Sequence, residues 1–541
     1  MMYIQSYFYC CALVSLFLLS SGMLSAEEVQ TQNGDDSQST GEFSRPQEPI
    51  NWVLRGLENN FGLQIEQTDL LNSEDRVEVT LGQFVTRFVT QTRYSRSERR
   101  QNRTDYLATN QVANIFDEEL LEMRVGFERV FSTGTRASIS NVAQQRENPT
   151  TRRAAQIDLS TIADPTAIGP LFSPEYQTTT VLNVTQPLLQ GRGKRGTLAE
   201  NRLAELGVEE AQLRVRAAAE RLVGQILVTY GEVVFARENL KVKKDAVKLA
   251  EDLVNENRRR VEEGMMSPID VTQAEARRAE AMEEVVSARV FLKERTNRLL
   301  SLTQREFKSS EAVEITGSVD ELIPNVELEN VKLARRALTE NASFLAIRKQ
   351  AEAEDIRLDY AKDQALPQLD LEASLGLNGL GEGFEDSFGD YGSENRGPDW
   401  SVGVTFSVPL DRKAERAQVR ISKRAKAQAI MEVKQAEIDL LVELENAIEG
   451  YEASLERTGF VKEAVRLAEE GLRSEQSRLA SGVTTSYNVL NQQRDLSFAR
   501  TRALAVDVES FSALVQLYLI LGSLSDTLNI DLNTGDAVAS K

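Results

Sequence analysis

Arg260-Val-Glu-Glu-Gly264-Met-Met-Ser-Pro-Ile-Asp-Val271 and Arg478-Leu-Ala-Ser-Gly482-Val-Thr-Thr-Ser-Tyr-Asn-Val489 are the two stretches that decide how this chain folds. Each sets Arg, Gly and Val at the same spacing, and the second begins 478 − 260 = 218 residues after the first. Upstream of the first, Ile226, Val233, Leu240, Val247, Val254 and Val261 are apolar at every seventh position, the seam of helices packed side by side as in a coiled coil. The same offset of 218 gives Leu444, Tyr451, Thr458, Val465, Leu472 and Leu479, apolar except at Thr458. A heptad seam that ends in glycine, made twice in register, predicts two long helices that each reverse direction at Gly264 or Gly482.

Working outward, both halves show the same parts. A Pro-Leu pair precedes each seam, Pro187-Leu188 and Pro409-Leu410, and further upstream Arg55-Gly-Leu57-Glu-Asn-Asn60 resembles Arg336-Ala-Leu338-Thr-Glu-Asn341. Helical stretches over Ile50–Gln83 and Leu328–Asp363 lead into strands, which lead into long helices over Lys194–Glu262 and Arg412–Ala480. Return helices are expected over Ile269–Gln304 and Tyr487–Leu521. The expected division is 1–26, 27–48, a first repeat over 49–303, a linker over 304–327, a second repeat over 328–523 and a tail over 524–541.

The strands alternate. Leu369, Leu371, Ala373, Leu375 and Leu377 oppose Asp370, Glu372, Ser374, Gly376 and Asn378, and Val402 to Leu410 alternates likewise against Ser401 to Pro409. Runs of about ten residues, apolar on one side and polar or small on the other, suit a membrane β-barrel, and equally a soluble sandwich with one wet face. Phe84–Tyr94 and Thr178–Leu188 are the first half's counterparts, and Gly379–Pro398 reads as an exposed loop. The distance from Leu57 to Pro187 exceeds that from Leu338 to Pro409 by 130 − 71 = 59 residues. These extra residues contain a further hairpin, Leu121–Phe131 and Thr135–Ala143, turning at Ser132-Thr133-Gly134, which either widens a barrel or stands outside it.

Composition removes many functions. The chain has 541 residues, 63 Lys+Arg against 83 Asp+Glu, a formal charge of −20 and no histidine. An acidic surface does not neutralise phosphates, so nucleic-acid binding is not expected. Without imidazole there is no Ser-His-Asp triad and no histidine-ligated metal. Neither a cofactor nor a metal site is expected. Gly191-Arg-Gly193-Lys-Arg-Gly196 fits a dinucleotide-binding turn, but its strand alternates and its second copy lacks glycine, so it reads as a strand-to-helix joint. The carboxylate pairs Glu209-Glu210 and Glu469-Glu470 read as solvated helix faces, not acid/base machinery. Tyr7–Leu19 is an apolar run broken only by Ser15 and followed by small residues: a secretory signal cut near Ala26, or an uncleaved anchor. It contains both cysteines, Cys10 and Cys11, and Glu27–Glu48 reads as a disordered lead-in. No later stretch reaches 18 uninterrupted apolar residues, so membrane insertion would be by strands.

Two long helices, two helix pairs, two strand sets and two glycine-centred tips resemble the TolC-like outer-membrane efflux family from Ile50 to Ser523. The resemblance rests on Gln186-Pro-Leu-Leu-Gln-Gly191, on the two stretches that open this section and on Leu57-Glu-Asn-Asn60. It implies a mainly α fold with a transmembrane β-barrel portion. A homotrimer would place four strands per subunit, or more, in one barrel above a long antiparallel coiled-coil tunnel in the periplasm. It implies a passive exit duct in the cell outer membrane, in contact with outer-membrane lipid. A periplasmic adaptor and an inner-membrane transporter would join it, as in tripartite efflux or type I secretion. Adaptor contact would fall at the tips, on Gly264, Met265, Ser267, Gly482, Val483 and Thr485, and the pore gate on Asp270, Asn488 and Asn491. Two aspartates common in the family match Asn488 and Asn491, so that acidic ring is absent, and the family's gate tyrosine and arginine match Leu479 and Thr484. A gate held by packing and neutral hydrogen bonds is therefore expected. An exported coiled-coil spacer without a pore is the competing reading, and an exported carboxylate hydrolase a third.

Overall fold

The computed structural model describes residues 49–103, 106, 115–154, 172–306, 328–392, 398–528 and 530. The expected signal, the lead-in, Cys10, Cys11, linker residues 307–327, loop residues 393–397 and most of the expected tail lie outside them.

Each half begins with two helices where the sequence predicts one continuous stretch: α1 (Pro49–Asn59) and α2 (Phe61–Leu81), then α7 (Asn330–Glu340) and α8 (Ala342–Gln364). The breaks fall at Asn60 and Asn341 for one reason. Each asparagine leaves helical geometry and accepts a hydrogen bond through Oδ1 from an orphan N–H of the next helix, Leu63 at 3.2 Å and Phe344 at 2.9 Å. Its Nδ2 donates to a carbonyl near the end of a return helix, Leu302 at 3.2 Å or Ile520 at 3.0 Å. The repeat noticed at Leu57 and Leu338 is therefore a repeated cap and clamp.

The long helices are α5 (Ala199–Glu262) and α10 (Lys413–Ala480), of 64 and 68 residues, which span about 96 and 102 Å at 1.5 Å per residue. The return helices are α6 (Pro268–Thr303) and α11 (Ser486–Leu521). The seam faces inward as its spacing demands: Ile226, Val233 and Val254 are buried in α5, and Leu444, Tyr451, Leu472 and Leu479 in α10. α5 packs against α2 and α6 on one side and against α8 and α11 on the other, and α10 packs against α8 and α11. One chain therefore forms a layer four helices wide, with α10 at one flank and the α2–α6 line at the other. A core of Trp52, Ile226, Tyr230, Leu299, Leu517 and Leu521, all nearly inaccessible, joins the two halves at mid-height. α11 is long and apolar enough by composition to cross a bilayer, but its apolar end, including Phe511, Val515, Leu517 and Leu521, belongs to this core.

The six strands among the described residues form one antiparallel meander, β1 to β6 in order: Arg87–Arg100, Ile115–Val130, Arg136–Glu147, Glu175–Pro187, Gln368–Gly381 and Asp399–Ser407. The extra hairpin is β2 and β3, inserted between β1 and β4, so the sheet has six strands among the described residues where the family resemblance implied four or more. Short helices α3 (Pro149–Ala154), α4 (Gly193–Gly196), α9 (Phe384–Gly389) and α12 (Leu524–Thr527) complete the described α-helices. β6 stops at Ser407, so Val408 and Leu410, expected in the strand, lie beyond it, and Leu410 is fully exposed.

Candidate functional site

The register assigns every strand residue to one face. Phe88 opposes Phe127, Phe127 opposes Ile139, Ile139 opposes Leu182, Leu182 opposes Leu375 and Leu375 opposes Trp400. With the period-two alternation, this face also carries Tyr94, Met123, Val125, Val184, Val402 and Phe406. The opposite face carries Gln91, Arg93, Glu122, Arg124, Ser138, Asn183, Glu372, Ser374, Ser401 and Thr405. Apolar on one side and polar on the other, across all six strands, is the pattern of a wall between lipid and water. Three polar residues of the apolar face, Asn141, Thr178 and Thr180, are satisfied by a protein cover. Thr178 donates to the Ser387 carbonyl at 3.0 Å, while Asn141 donates to the Tyr391 hydroxyl and Thr180 shares a hydrogen bond with it, both at 3.1 Å. Gly379 lies beneath this cover, where a Cβ would meet the Ser387 carbonyl.

At the base of the wall, Gly191 to Gly196 form the joint into α5. Gly191 and Gly193 have φ of +79° and +63°, which glycine adopts without strain. The Gly191 N–H donates to Asp363 Oδ2 at 2.8 Å, and the Gly193 N–H donates to the Thr133 carbonyl in the β2–β3 turn at 3.0 Å. Burial holds the Asp363 carboxyl above its ordinary range against the pull of that N–H. The carboxylate pairs are engaged structurally: Glu209 holds Lys349 at 2.7 Å, Glu210 accepts from Gln350 at 2.8 Å, Glu469 holds Arg500 at 2.7 Å and Glu470 holds Arg466 at 3.2 Å.

The two tips repeat one backbone solution. Gly264 and Gly482 have φ of +76° and +72°. Met265 N–H donates to the Arg260 carbonyl at 2.8 Å, and Val483 N–H to the Arg478 carbonyl at 2.9 Å, closing each helix in a Schellman cap. Beyond the glycines, Met265 and Val483 are exposed, at 69% and 68%, so both hairpins end in an apolar side chain held in water. Ser267 and Asp270 form a capping box that starts α6, the Asp270 carboxylate accepting from the Ser267 N–H at 3.3 Å. Thr485 precedes α11 without a side-chain cap. Asn488 donates to Thr484 Oγ1 at 2.9 Å, Thr484 donates to Glu475 at 2.5 Å, and Glu475 pairs with Arg478 at 2.9 Å. Asn491 is half-buried one turn further on.

The hairpins are also joined to each other. Arg260 Nη1 donates to the Leu479 carbonyl at 2.8 Å while its Nε holds Glu256 at 2.8 Å, and this guanidinium lowers the Glu256 carboxyl below its ordinary range. Asn257, fully buried, donates to Ser486 Oγ at 2.7 Å and to the Asp270 carbonyl at 3.2 Å. Higher up, Gln493 donates to the Leu249 carbonyl at 3.1 Å. Leu253, Leu472, Leu479, Val489, Leu490 and Leu496 pack as an apolar cluster between the hairpins, so Leu479 serves as core where the family resemblance supplied a tyrosine. Sequence reasoning missed Asn257, Arg260 and Ser486. The available signal was Asn257 itself, a polar residue three positions after Val254 and so on the second line of the heptad seam.

A sheet with one lipid-suited face, carried on helices of about 100 Å that end in paired tips, defines an envelope-spanning channel protein. The outer membrane efflux protein family matches over residues 136–304 and 333–523, about two thirds of the chain, and the chain belongs to that family: it is an outer-membrane efflux channel whose helices stand in the periplasm. The outer membrane protein TolC of Vibrio cholerae is 23% identical over 361 residues, covering 66% of this chain and 80% of TolC. Among solved structures, the open state of the Neisseria gonorrhoeae MtrE outer membrane channel has a TM-score of 0.61 at 14% identity, over 88% of each chain. The Campylobacter jejuni CmeC outer membrane channel has a TM-score of 0.60 at 14% identity, over 88% of this chain and 86% of CmeC. At those identities the likeness is one of fold.

Proposed function

We propose that three copies of the chain form one closed duct through which substrates pass passively, delivered by an inner-membrane transporter through a periplasmic adaptor. The observation that carries this reading is the pair of unfinished edges on each copy. β1 and β6 have unpaired backbone groups among the described residues, which lipid does not tolerate. The helical layer is unfinished too: Ile421, Ile438 and Phe460 are exposed on α10 at one flank, and Met282, Val286 and Val290 are exposed on α6 at the other. Head-to-tail contact around a threefold axis would cover both sets of edges at once.

The tips are the docking end in this reading. Met265 and Val483, beside Gly264 and Gly482 and flanked by Ser267 and Thr485, offer the adaptor six apolar tips per trimer. Asp270, Asn488 and Asn491 stand at the gate, with the carboxylate of Asp270 occupied in its helix cap. The duct performs no chemistry of its own. The test is single-channel current from the purified protein in a planar lipid bilayer. Discrete conductance steps that track the trimer support the duct. Protein that stays soluble without detergent and carries no current would overturn it in favour of a coiled-coil spacer.

A further inference from the structure

The family resemblance implied four strands per subunit, or more, and the described residues of this chain form six in one continuous sheet. Resting on the trimer reading above, we propose that the β2–β3 hairpin is part of the barrel wall, so that three copies close an eighteen-stranded barrel in which β6 of each copy pairs with β1 of the next.

Three observations place the hairpin in the wall. First, it is hydrogen-bonded along its length on both sides: β2 pairs with β1 from Ile115 opposite Arg100 to Glu128 opposite Arg87, and β3 pairs with β4 from Arg136 opposite Thr185 to Arg146 opposite Glu175. Second, its faces continue those of its neighbours. Met123 and Val125 share the apolar face with Leu182 and Leu375, while Arg124 and Ser138 share the polar face with Asn183. An appendage standing in water has no reason to match a lipid face on both sides. Third, its turn is built into the base of the wall. Gly134, at φ +89°, sits so close to the joint that a Cβ would lie 2.5 Å from the Gly191 carbonyl oxygen and 2.8 Å from Pro187 Cγ.

The free edges then complement each other. With six strands alternating in direction, β6 runs opposite to β1, so a β6–β1 junction between copies keeps the whole ring antiparallel. Trp400, Val402, Val404 and Phe406 of β6, all more than 60% exposed, would continue the outward band on β1 that runs from Phe88 to Tyr94. At a strand spacing of about 4.8 Å and a tilt of about 40°, eighteen strands give a backbone diameter of about 36 Å, against about 24 Å for twelve. The cross-section roughly doubles. The membrane end is then a wide vestibule, and any constriction lies at the tips.

Electron cryo-microscopy of the full-length protein in lipid nanodiscs counts strands and copies together. A threefold ring of eighteen strands is the expected result. A threefold ring of twelve, with residues 115–147 outside the wall, overturns this inference and leaves the trimer standing, whereas a ring without threefold symmetry removes the reading on which both rest. Disulfide mapping gives an independent answer in a background carrying Cys10→Ser and Cys11→Ser. Gln91→Cys with Arg124→Cys should cross-link within a chain, and Gly403→Cys with one of Val89→Cys, Gln91→Cys or Arg93→Cys should cross-link between chains into a covalent trimer. Cross-linking of Gln91→Cys to Asn183→Cys instead would put β1 beside β4 and exclude the hairpin.

Discussion

Replacing Arg260 by alanine separates a gate held by directed hydrogen bonds from one held by general packing. The Arg260 side chain is only 18% exposed and donates at 2.8 Å to the Leu479 carbonyl, a last-turn acceptor at the negative end of the 68-residue helix α10 that also accepts from the Gly482 N–H at 3.0 Å. Its second bond, to Glu256, lies within α5 and persists whether the hairpins are together or apart, so only the bond to Leu479 counts. A hydrogen bond from a charged donor contributes about 1.5–3 kcal/mol, which shifts the ratio of parted to joined tips by a factor of about 10–150. Single-channel recording at fixed voltage reads that ratio as open probability. Arg260→Ala should raise it, and Arg260→Lys, which keeps the charge and loses the planar fork, should fall between. An open probability for Arg260→Ala within twofold of the parent, in protein that still forms trimers and melts at the parent temperature, would refute the reasoning.

Asn488→Asp with Asn491→Asp should introduce block by trivalent cations that the parent lacks, measured as loss of single-channel current on adding the cation; equal block in both proteins would show that these positions do not face the pore. Asn60→Ala and Asn341→Ala each remove a helix cap and a bond to a neighbouring helix end, and each should lower stability by about 1–3 kcal/mol in thermal or denaturant unfolding. Glu220 is buried and accepts hydrogen bonds from Ser525, and burial raises its carboxyl above the ordinary 4.5. A raised acid contributes fully below that ordinary value and loses its contribution as pH climbs through the raised one. Glu220→Gln should therefore gain in melting temperature relative to the parent as pH rises from acidic toward neutral, and a constant difference across that range would count against the assignment.

The helices were legible because heptad spacing is a local signal that burial then enforces. Ile226, Val233 and Val254 turned inward as their spacing requires, and both tips fell at the predicted glycines. Strand limits were less legible, for a physical reason. β1 was expected to end at Tyr94 and β2 to begin at Leu121, where the apolar alternation stops, yet they run on to Arg100 and from Ile115. Beyond the apolar band the strands carry charge, and ion pairs such as Arg96 with Glu119 at 3.4 Å and Arg146 with Glu118 at 3.6 Å join neighbouring strands where alternation no longer signals a strand. The start of β1 was misplaced in the other direction, since Gly82 to Phe84 form a tight helical turn that ends α2. The hairpin at β2 and β3 was visible as a hairpin, but its place depended on pairing with β1 and β4, which no local pattern encodes.

The tips show the same division. That Gly264 and Gly482 cap their helices is written in a few adjacent residues, whereas the bond from Asn257 to Ser486 joins positions 229 apart and exists only once the two hairpins lie side by side. Its chemistry bears on how such a tip opens. Where acidic side chains ring a pore, cations and salt set the balance through charge that ions screen. Here Asn488 and Asn491 carry no charge, Asp270 is held in its capping box, and Arg260 and Asn257 aim at a backbone carbonyl and a hydroxyl. Short directed bonds of this kind are lost through displacement of about an ångström, far more readily than through a change of ionic strength. If the adaptor docks on the exposed Met265 and Val483 as proposed, pushing them apart would break the Arg260 and Asn257 bonds together, and on that reading mechanical contact at the tips would open the gate more effectively than a change of ionic strength.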